Sequence, residues 1–540
     1  MKKIILNSLV LLSLLGGCKK ALDVDSTRVV SERNDWNSLE DARAHLFGAY
    51  GLTRAAMADH NAHWLYGDVR SGDFTSPTRQ DLKAIINNNL SASYASVEAL
   101  SNWRRWYAVV NQCNVFLERI REINQADPRY IESTMTVDIA QIRFLRAFAY
   151  FYMCRIWGDV PLISSSMEGK FENKARDPQA KVLQFVKSEL QLATEDLPYQ
   201  YGTREDQYQT GLYYGQGLNA YRGVLATKNS AQAILAHAAA WDGDYETVAT
   251  ATQFVMRNYS RSGSGFISLD DLTDPNGLFY RSPRIADDNN TGGGNNPGGG
   301  NTQGGARGDV LVGFHFTFDE LESSFSGHLE ELTLASPFVS YKSVPDIYVT
   351  KDTIKSIFNE GDDFRFSLDT VGRPTPGIPD GRYFSNYSGR YPIFTKVKVV
   401  ESGLNPNTKT STLPTYSSSI VFTRLEDIVL LRAEALASLG EVDEAANLLN
   451  EIRIRRYDRL FYKPYDPDLH GTIIDAIFQE RRKELIGEGH RWYDLVRYQK
   501  FKKQANSRVY QLIKSGGIYW PISKVVLQQN SLITQNSYWK

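Results

Sequence analysis

The pattern of apolar and polar positions is mostly helical. Over residues 39–54, Leu39, Ala42, Leu46, Ala49 and Tyr50 recur at the spacing that turns one helix face toward a core. A similar pattern runs over residues 98–123 through Trp103, Trp106, Tyr107, Val110 and Phe116. Residues 136–157, TVDIAQIRFLRAFAYFYMCRIW, are apolar almost all round, which predicts a helix enclosed on every side. Its three arginines, Arg143, Arg146 and Arg155, then need partners. Residues 182–197 form another amphipathic pattern. Two helical hairpins follow: 226–240 with 245–256, turning at Asp242-Gly243-Asp244, and 425–439 with 442–456, turning at Gly440. Small residues such as Ala236, Ala239, Ala433, Ala437 and Ala445 stand where paired helices would meet. These pairs are similar to tetratricopeptide units, but they are too far apart in the chain for an unbroken array. Diverged helix pairs with long insertions fit better.

Residues 258–420 have another texture, rich in Gly, Pro, Ser and Tyr, with strand-like pieces at 310–318 and 393–400. Within them, 287–308 is a low-complexity Gly/Asn stretch expected as a surface loop. Residues 57–90 also read as irregular. The expected organisation is an N-terminal helical region (36–257), an irregular subdomain (258–420) and a C-terminal helical scaffold (421–540).

Composition adds three constraints. With 540 residues the chain exceeds one compact core. A net charge of −1 gives no reason to expect nucleic-acid binding. Thirty tyrosines and nine tryptophans supply flat amphipathic contact area, as binding surfaces do. The N-terminus adds an address. Lys2 and Lys3 precede an apolar run, residues 4–15, too short to span a bilayer, and then Leu15-Gly16-Gly17-Cys18. That series resembles a bacterial lipobox. It implies a signal peptide at 1–17, lipid on Cys18 and a tether over 18–35, so the mature protein would be membrane-anchored without spanning. Cys113 and Cys154 lie in apolar helical patterns and are expected as buried free thiols.

One stretch invites a catalytic reading: ERRKELIGEGHRWYDLVR, residues 480–497. Glu480, Glu484 and Glu488 share a helical face, and glycoside hydrolysis needs two carboxylates roughly 5–10 Å apart. Interleaved Arg481, Arg482, Lys483 and Arg491 make ion pairing the simpler use. His490 has no neighbouring His or Cys, and HExxH, GxSxG and CxxC motifs are absent from the sequence. No catalytic residue, metal or cofactor is expected, and a binding protein is favoured over an enzyme.

Four ordered features carry a family resemblance: the lipobox followed by KKALD; RFLRAFAYFYMCRIWGDVPLI; RLEDIVLLRAEALASLG with NEIRIRR; and ERRKELIGEGHRWYDLVR with YWPIS and LITQN. Together they resemble the SusD/RagB family of outer-membrane lipoproteins. The resemblance implies a mostly α fold: a tetratricopeptide-like helix-pair scaffold carrying an irregular, loop-rich subdomain with short strands. It also implies a non-catalytic, cell-surface role in which the protein binds an oligosaccharide and acts as the hinged lid of a SusC-like TonB-dependent β-barrel transporter. A RagB-like peptide cargo is the alternative; a lid whose cargo the barrel selects is a third.

Two loop-rich regions mix aromatic faces with hydrogen-bonding groups, the pairing that sugar recognition wants. The first supplies Asp59, Trp64, Asp68, Asp73, Arg79 and Tyr94; the resemblance of WLYGDVRSGDF to a family segment favours Asp68 and Asp73. Those two carboxylates could also hold a cation, though without a complete loop. The second supplies Arg365, Tyr383, Tyr387 and Tyr391, with Arg365 in a variant of the family's Asp-Pro-Arg segment.

Overall fold

Ten helices of twelve residues or more carry the fold among the residues that the computed structural model describes. Those residues are 35–166, 173–202, 212–217, 221–279, 310–316, 326–369, 371–375, 381–401, 415–460 and 462–540. The expectations for the signal peptide, for Cys18 and for the 287–308 loop fall outside them. The helices are α1 Leu39–Ala58, α2 Arg104–Ala126, α3 Glu132–Trp157, α4 Gln179–Asp196, α5 Lys228–Asp242, α6 Tyr245–Asn258, α7 Leu425–Ser438, α8 Val442–Arg453, α9 Ile473–Leu485 and α10 Arg491–Lys502. None of the described helices is long and apolar enough to cross a membrane.

Local chemistry sets several boundaries. Capping boxes start α1 (Ser38 with Asp41), α5 (Thr227 with Ser230) and α9 (Thr472 with Asp475). Gly243 and Gly440 take the left-handed conformation that ends α5 and follows α7. The helices then pack in pairs, α1 on α2, α3 on α4, α5 on α6 and α7 on α8. The pairs also touch in series, α2 on α3, α4 on α5 and α6 on α7. Four tetratricopeptide-like pairs therefore form one continuous stack, although the chain between α6 and α7 runs through the whole irregular region.

Helix α3 lies inside this stack, buried almost continuously from Val137 to Trp157. Arg146 donates to Glu189 of α4 (2.6 Å) and Asn114 of α2 (2.8 Å), and Arg143 joins Glu189 (2.8 Å). Arg155 finds aromatic faces instead, 4.0 Å from the Tyr493 ring and 4.4 Å from Phe151. Cys113 and Cys154 are buried free thiols.

Strands are short: β1 Val310–Phe314, β2 Phe384–Ser385, β3 Ile393–Phe394, β4 Val400–Glu401, β5 Thr415–Tyr416 and β6 Ile420–Arg424. They pair antiparallel as β1–β6, β2–β3 and β4–β5. The β1–β6 register, Phe314 opposite Ile420, binds the irregular region back to the start of α7. The expected strand at 393–400 is thus two separate two-residue strands. A second difference lies at 57–90, expected as irregular loop. It is a series of short helices, Asp59–Asn61, Ala62–Gly67, Val69–Ser71 and Gln80–Ile86, and residues 61–70 are buried throughout. The C-terminal tail runs along the end of α3, where the Trp520 amide donates to the Ile156 carbonyl (2.7 Å) and the Asn536 side chain to that of Trp157 (3.2 Å).

Candidate functional site

The charged motif of α9 and α10 is a buried hub. Helix α9 ends where Gly487 and Gly489 adopt positive φ (80° and 79°). Gly67 packs so tightly there that a Cβ would lie 1.9 Å from the Gly489 carbonyl oxygen. Glu484 accepts from three guanidiniums, those of Arg365 (3.0 Å), Arg424 (2.9 Å) and Arg456 (2.9 Å). Glu488 accepts from Arg424 (2.9 Å) and Lys396 (2.5 Å). Arg481 joins Asp427 (2.8 Å) to Asp494 (3.0 Å), and Arg497 joins Glu434 (2.8 Å) to Asp494 (2.9 Å). Burial by itself would raise the Glu484 carboxyl; Arg456, Arg424 and Arg365 outweigh it and hold the group well below the usual range. Glu488 is lowered in the same way by Arg424 and Lys396. A general acid in glycoside hydrolysis needs a raised carboxyl facing substrate, and these are lowered and enclosed.

The histidines belong to the same interior. Burial pushes His490 down to about 4, and its Nε2 donates to the Phe422 carbonyl (2.7 Å). His237, Asp427 and His490 converge closely enough to suggest a metal trio. Yet Asp427 already takes bonds from Thr423 (2.7 Å), His237 (2.9 Å) and Arg481 (2.8 Å), so a guanidinium occupies the cation's role.

The structure buries six of the ten sequence-derived ligand candidates in or against this hub. Trp64 donates from Nε1 to the Gly487 carbonyl (3.2 Å). Asp68, 1% exposed, accepts from the Gly489 amide (2.6 Å). Asp73 is bound by Arg482 (2.5 Å) and Arg491 (2.9 Å). Arg365 is fully buried among Asp363 (2.8 Å), Glu480 (2.7 Å) and Glu484. Tyr383 is fully buried, its hydroxyl toward the Glu484 carbonyl (3.4 Å). Tyr387 is nearly buried, against Phe366. Their polar atoms are bonded internally except Asp68 Oδ1 and the Tyr387 hydroxyl, which are buried without a partner among the described residues, and the six side chains present almost no surface to a ligand in this conformation. The expectation of a cation between Asp68 and Asp73 meets the same obstacle, since Asp73 already holds two arginines.

Asp68 gives a test of this placement. Burial pushes its carboxyl up to about 7 from an ordinary 3.8, with the Gly489 amide opposing. A raised folded value means that stability carried by the neutral form is complete below 3.8 and lost as pH rises toward 7. Asp68→Asn cannot ionise. Its stability relative to wild type is expected to improve from pH 4 to pH 7 by up to about 1.4 kcal/mol per pH unit, read by urea unfolding. A flat difference across that interval would place Asp68 in solvent.

Four candidates stay at or near the surface. Asp59 pairs with Arg105 (3.0 Å). Tyr94 is 38% exposed at the start of a short helix. Arg79 pairs with Asp81 (2.6 Å) and approaches Asp346 (3.8 Å). Tyr391 meets Tyr348 edge to face, with centroids 5.0 Å apart, and Arg390 lies 5.2 Å from its ring. The backbone of Thr75 pairs with that of Tyr348 (2.8 Å), so the two loop-rich regions do meet. The meeting brings Arg79, Asp346, Tyr348, Arg390 and Tyr391 onto one partly exposed face. Asp346 and Tyr348 were not legible as site residues, because their segment carries no motif and reaches this face only through that long-range pairing.

Comparison with known proteins follows this geometry. A family model described as SusD family matches residues 370–539, and one described as "Starch-binding associating with outer membrane" matches residues 51–210. A SusD superfamily protein of Bacteroides thetaiotaomicron superposes with a TM-score of 0.78 at 43% identity, covering 94% of this chain and 99% of that one. A SusD homolog from the same organism shares the fold at 20% identity, with a TM-score of 0.71 over 94% of this chain and 99% of that one. A SusD-like protein of Formosa agariphila is 26% identical over 530 residues, 92% of each chain. An identity of 43% kept across nearly the whole of both chains leaves one assignment: the chain belongs to the SusD superfamily.

Proposed function

We propose that this protein binds oligosaccharide without catalysis at the cell surface and delivers it to a SusC-like TonB-dependent transporter, over which it acts as a lid. Lipid on Cys18 would hold it to the outer membrane. The observation that carries the reading is the face shared by Arg79, Asp346, Tyr348, Arg390 and Tyr391. Two tyrosine rings offer apolar faces for the C–H surface of a sugar ring, and the flanking charges offer strong hydrogen bonds to hydroxyls. Such a face is shallow, so selectivity comes from hydroxyl contacts and affinity stays modest. Tyr94 and Asp59 are proposed as outlying contacts.

Isothermal titration against a glycan panel tests the assignment. Tyr391→Ala is expected to weaken the best glycan by roughly 3–10-fold, the worth of one aromatic contact. Arg79→Ala is expected to act in the same direction without lowering the melting temperature. Silence on every glycan, with binding to peptides, would transfer the cargo to the RagB-like alternative.

A further inference from the structure

A second cleft lies on the C-terminal half, lined by none of the ten ligand candidates, although Glu480 of its floor binds Arg365. It holds about 490 Å³ between the loop 359–362, the end of α8 and the first turns of α9, within the roughly 300–1,000 Å³ of small-molecule sites. We propose that it is a second saccharide subsite, taking one or two rings of a neutral sugar. The cargo class rests on the function proposed above; the site does not.

The floor of the cleft is built and charge-balanced. Arg453 binds Glu360 (2.6 Å), Glu480 (3.3 Å) and the Lys463 carbonyl (3.0 Å). Lys483 binds Glu360 (2.5 Å) and the Tyr457 hydroxyl (2.9 Å). Burial would raise Glu360, but Arg453 and Lys483 hold it well below the usual carboxylate range. An anion would therefore meet the carboxylates of Glu360, Asp362 and Glu480, and a cation would meet Arg453 and Lys463, with Lys483 buried behind Glu360. Neither finds a net opposite charge. A polyol suits such a floor, because each hydroxyl both donates and accepts.

The lip supplies the remaining chemistry. Asn359 is exposed and Asp362 partly so, and neither side chain is bonded to another group among the described residues. Asp362 adopts φ +63°, with its carbonyl accepting from the Asp458 amide (3.3 Å). A non-glycine residue in that region is uncommon and costs backbone strain, which the loop sustains where the carboxylate lines the cleft. Opposite stand Leu469, 63% exposed, and Ala476, an apolar patch for the C–H face of a ring.

One short helix ties the cleft to the tyrosine face. Lys351–Ile357 begins beside Tyr348, and Lys351 donates to the Ser388 carbonyl (3.2 Å) near Tyr391. At its other end the carbonyls of Ser356 and Ile357 accept from Gln479 (3.1 and 2.9 Å), a wall of the cleft. Seven helical residues span only about 10 Å, so a single oligosaccharide can reach both places.

Titration with maltose, cellobiose, xylobiose and mannobiose tests this, using the full mature chain. The double variant Arg79→Ala with Tyr391→Ala is expected to retain binding of at least one disaccharide. Adding Asn359→Trp, which fills the cleft from an exposed position, is expected to weaken that residual binding about tenfold or more, the loss of its main contacts. Asp362→Gly keeps the backbone conformation at ease, so it should lower affinity at an unchanged melting temperature. Residual binding untouched by both cleft variants would overturn the subsite. Loss of all binding in the tyrosine-face variant would also overturn it, while leaving the proposed function standing. Binding abolished by the cleft variants alone would support the subsite and remove the tyrosine face. A wild-type chain that binds no saccharide would remove both.

Discussion

Glu484→Gln is expected to cost this protein about 3–5 kcal/mol, the usual penalty for breaking a buried ion pair from one side. Three guanidiniums converge on that carboxylate, and none of Arg365, Arg424 and Arg456 has access to water. Their other partners are Asp363, which Arg365 alone already holds, and Glu426, Glu480 and Glu488, each already shared. Removing one negative charge leaves the interior with excess positive charge, and an amide nitrogen would face guanidinium hydrogens. Urea unfolding at pH 7 measures the effect; a loss below about 1 kcal/mol, the scale of an exposed pair, would show that the network does not need its central charge. The pH dependence has the opposite sign to that of Asp68. Glu484 lies well below its ordinary 4.5, so its contribution is present above that value and lost as acid protonates the folded state.

Trp492→Ala is expected to lower stability by about 3–5 kcal/mol, as large aromatic truncations in cores do. The ring is buried, and the Arg70 guanidinium lies 4.2 Å from its centroid. Arg70 has no carboxylate partner among the described residues. It is held by the Gly517 and Ile518 carbonyls (2.7 and 2.6 Å) and the Asn88 side chain, and burial pulls its value down to about 9. Deleting the indole therefore opens a cavity and removes the face on which a buried cation rests. The C-terminal tail that Arg70 secures should loosen with it. The melting temperature is expected to fall steeply, while glycan affinity of the remaining folded protein stays unchanged, because no exposed face includes Trp492. An unaltered melting temperature would contradict the packing described here.

Legibility differed by element. Helix α3 was readable because 16 of the 22 residues 136–157 are apolar and fall on every side of a helix, which admits few alternatives to enclosure. The hairpin α5–α6 was readable from its alanines and Gly243. The motif 480–497 is ion-paired as its acids and bases suggest, but Glu480, Glu484 and Glu488 do not pair with the interleaved Arg481, Arg482, Lys483 and Arg491. Its partners were not visible, because Arg365, Lys396, Arg424 and Arg456 arrive from other segments. The loop candidates fared unevenly for the same reason. Asp68 and Asp73 look like ligand contacts in a Gly-rich stretch, but their partners Gly489, Arg482 and Arg491 lie more than 400 residues onward. Nothing local distinguishes an acid facing water from an acid facing a distant arginine. Tyr391 and Arg79 kept partial exposure, and Tyr348 joined them only by a strand-like contact with Thr75.

The sequence by itself determined the helix pairs, their caps and their family, because these follow from spacing, backbone sterics and nearest neighbours along the chain. The tertiary structure alone decided which charges are enclosed and which remain for a ligand. That decision depends on segments hundreds of residues apart packing close enough to exclude water, after which every buried charge must take its partner from inside.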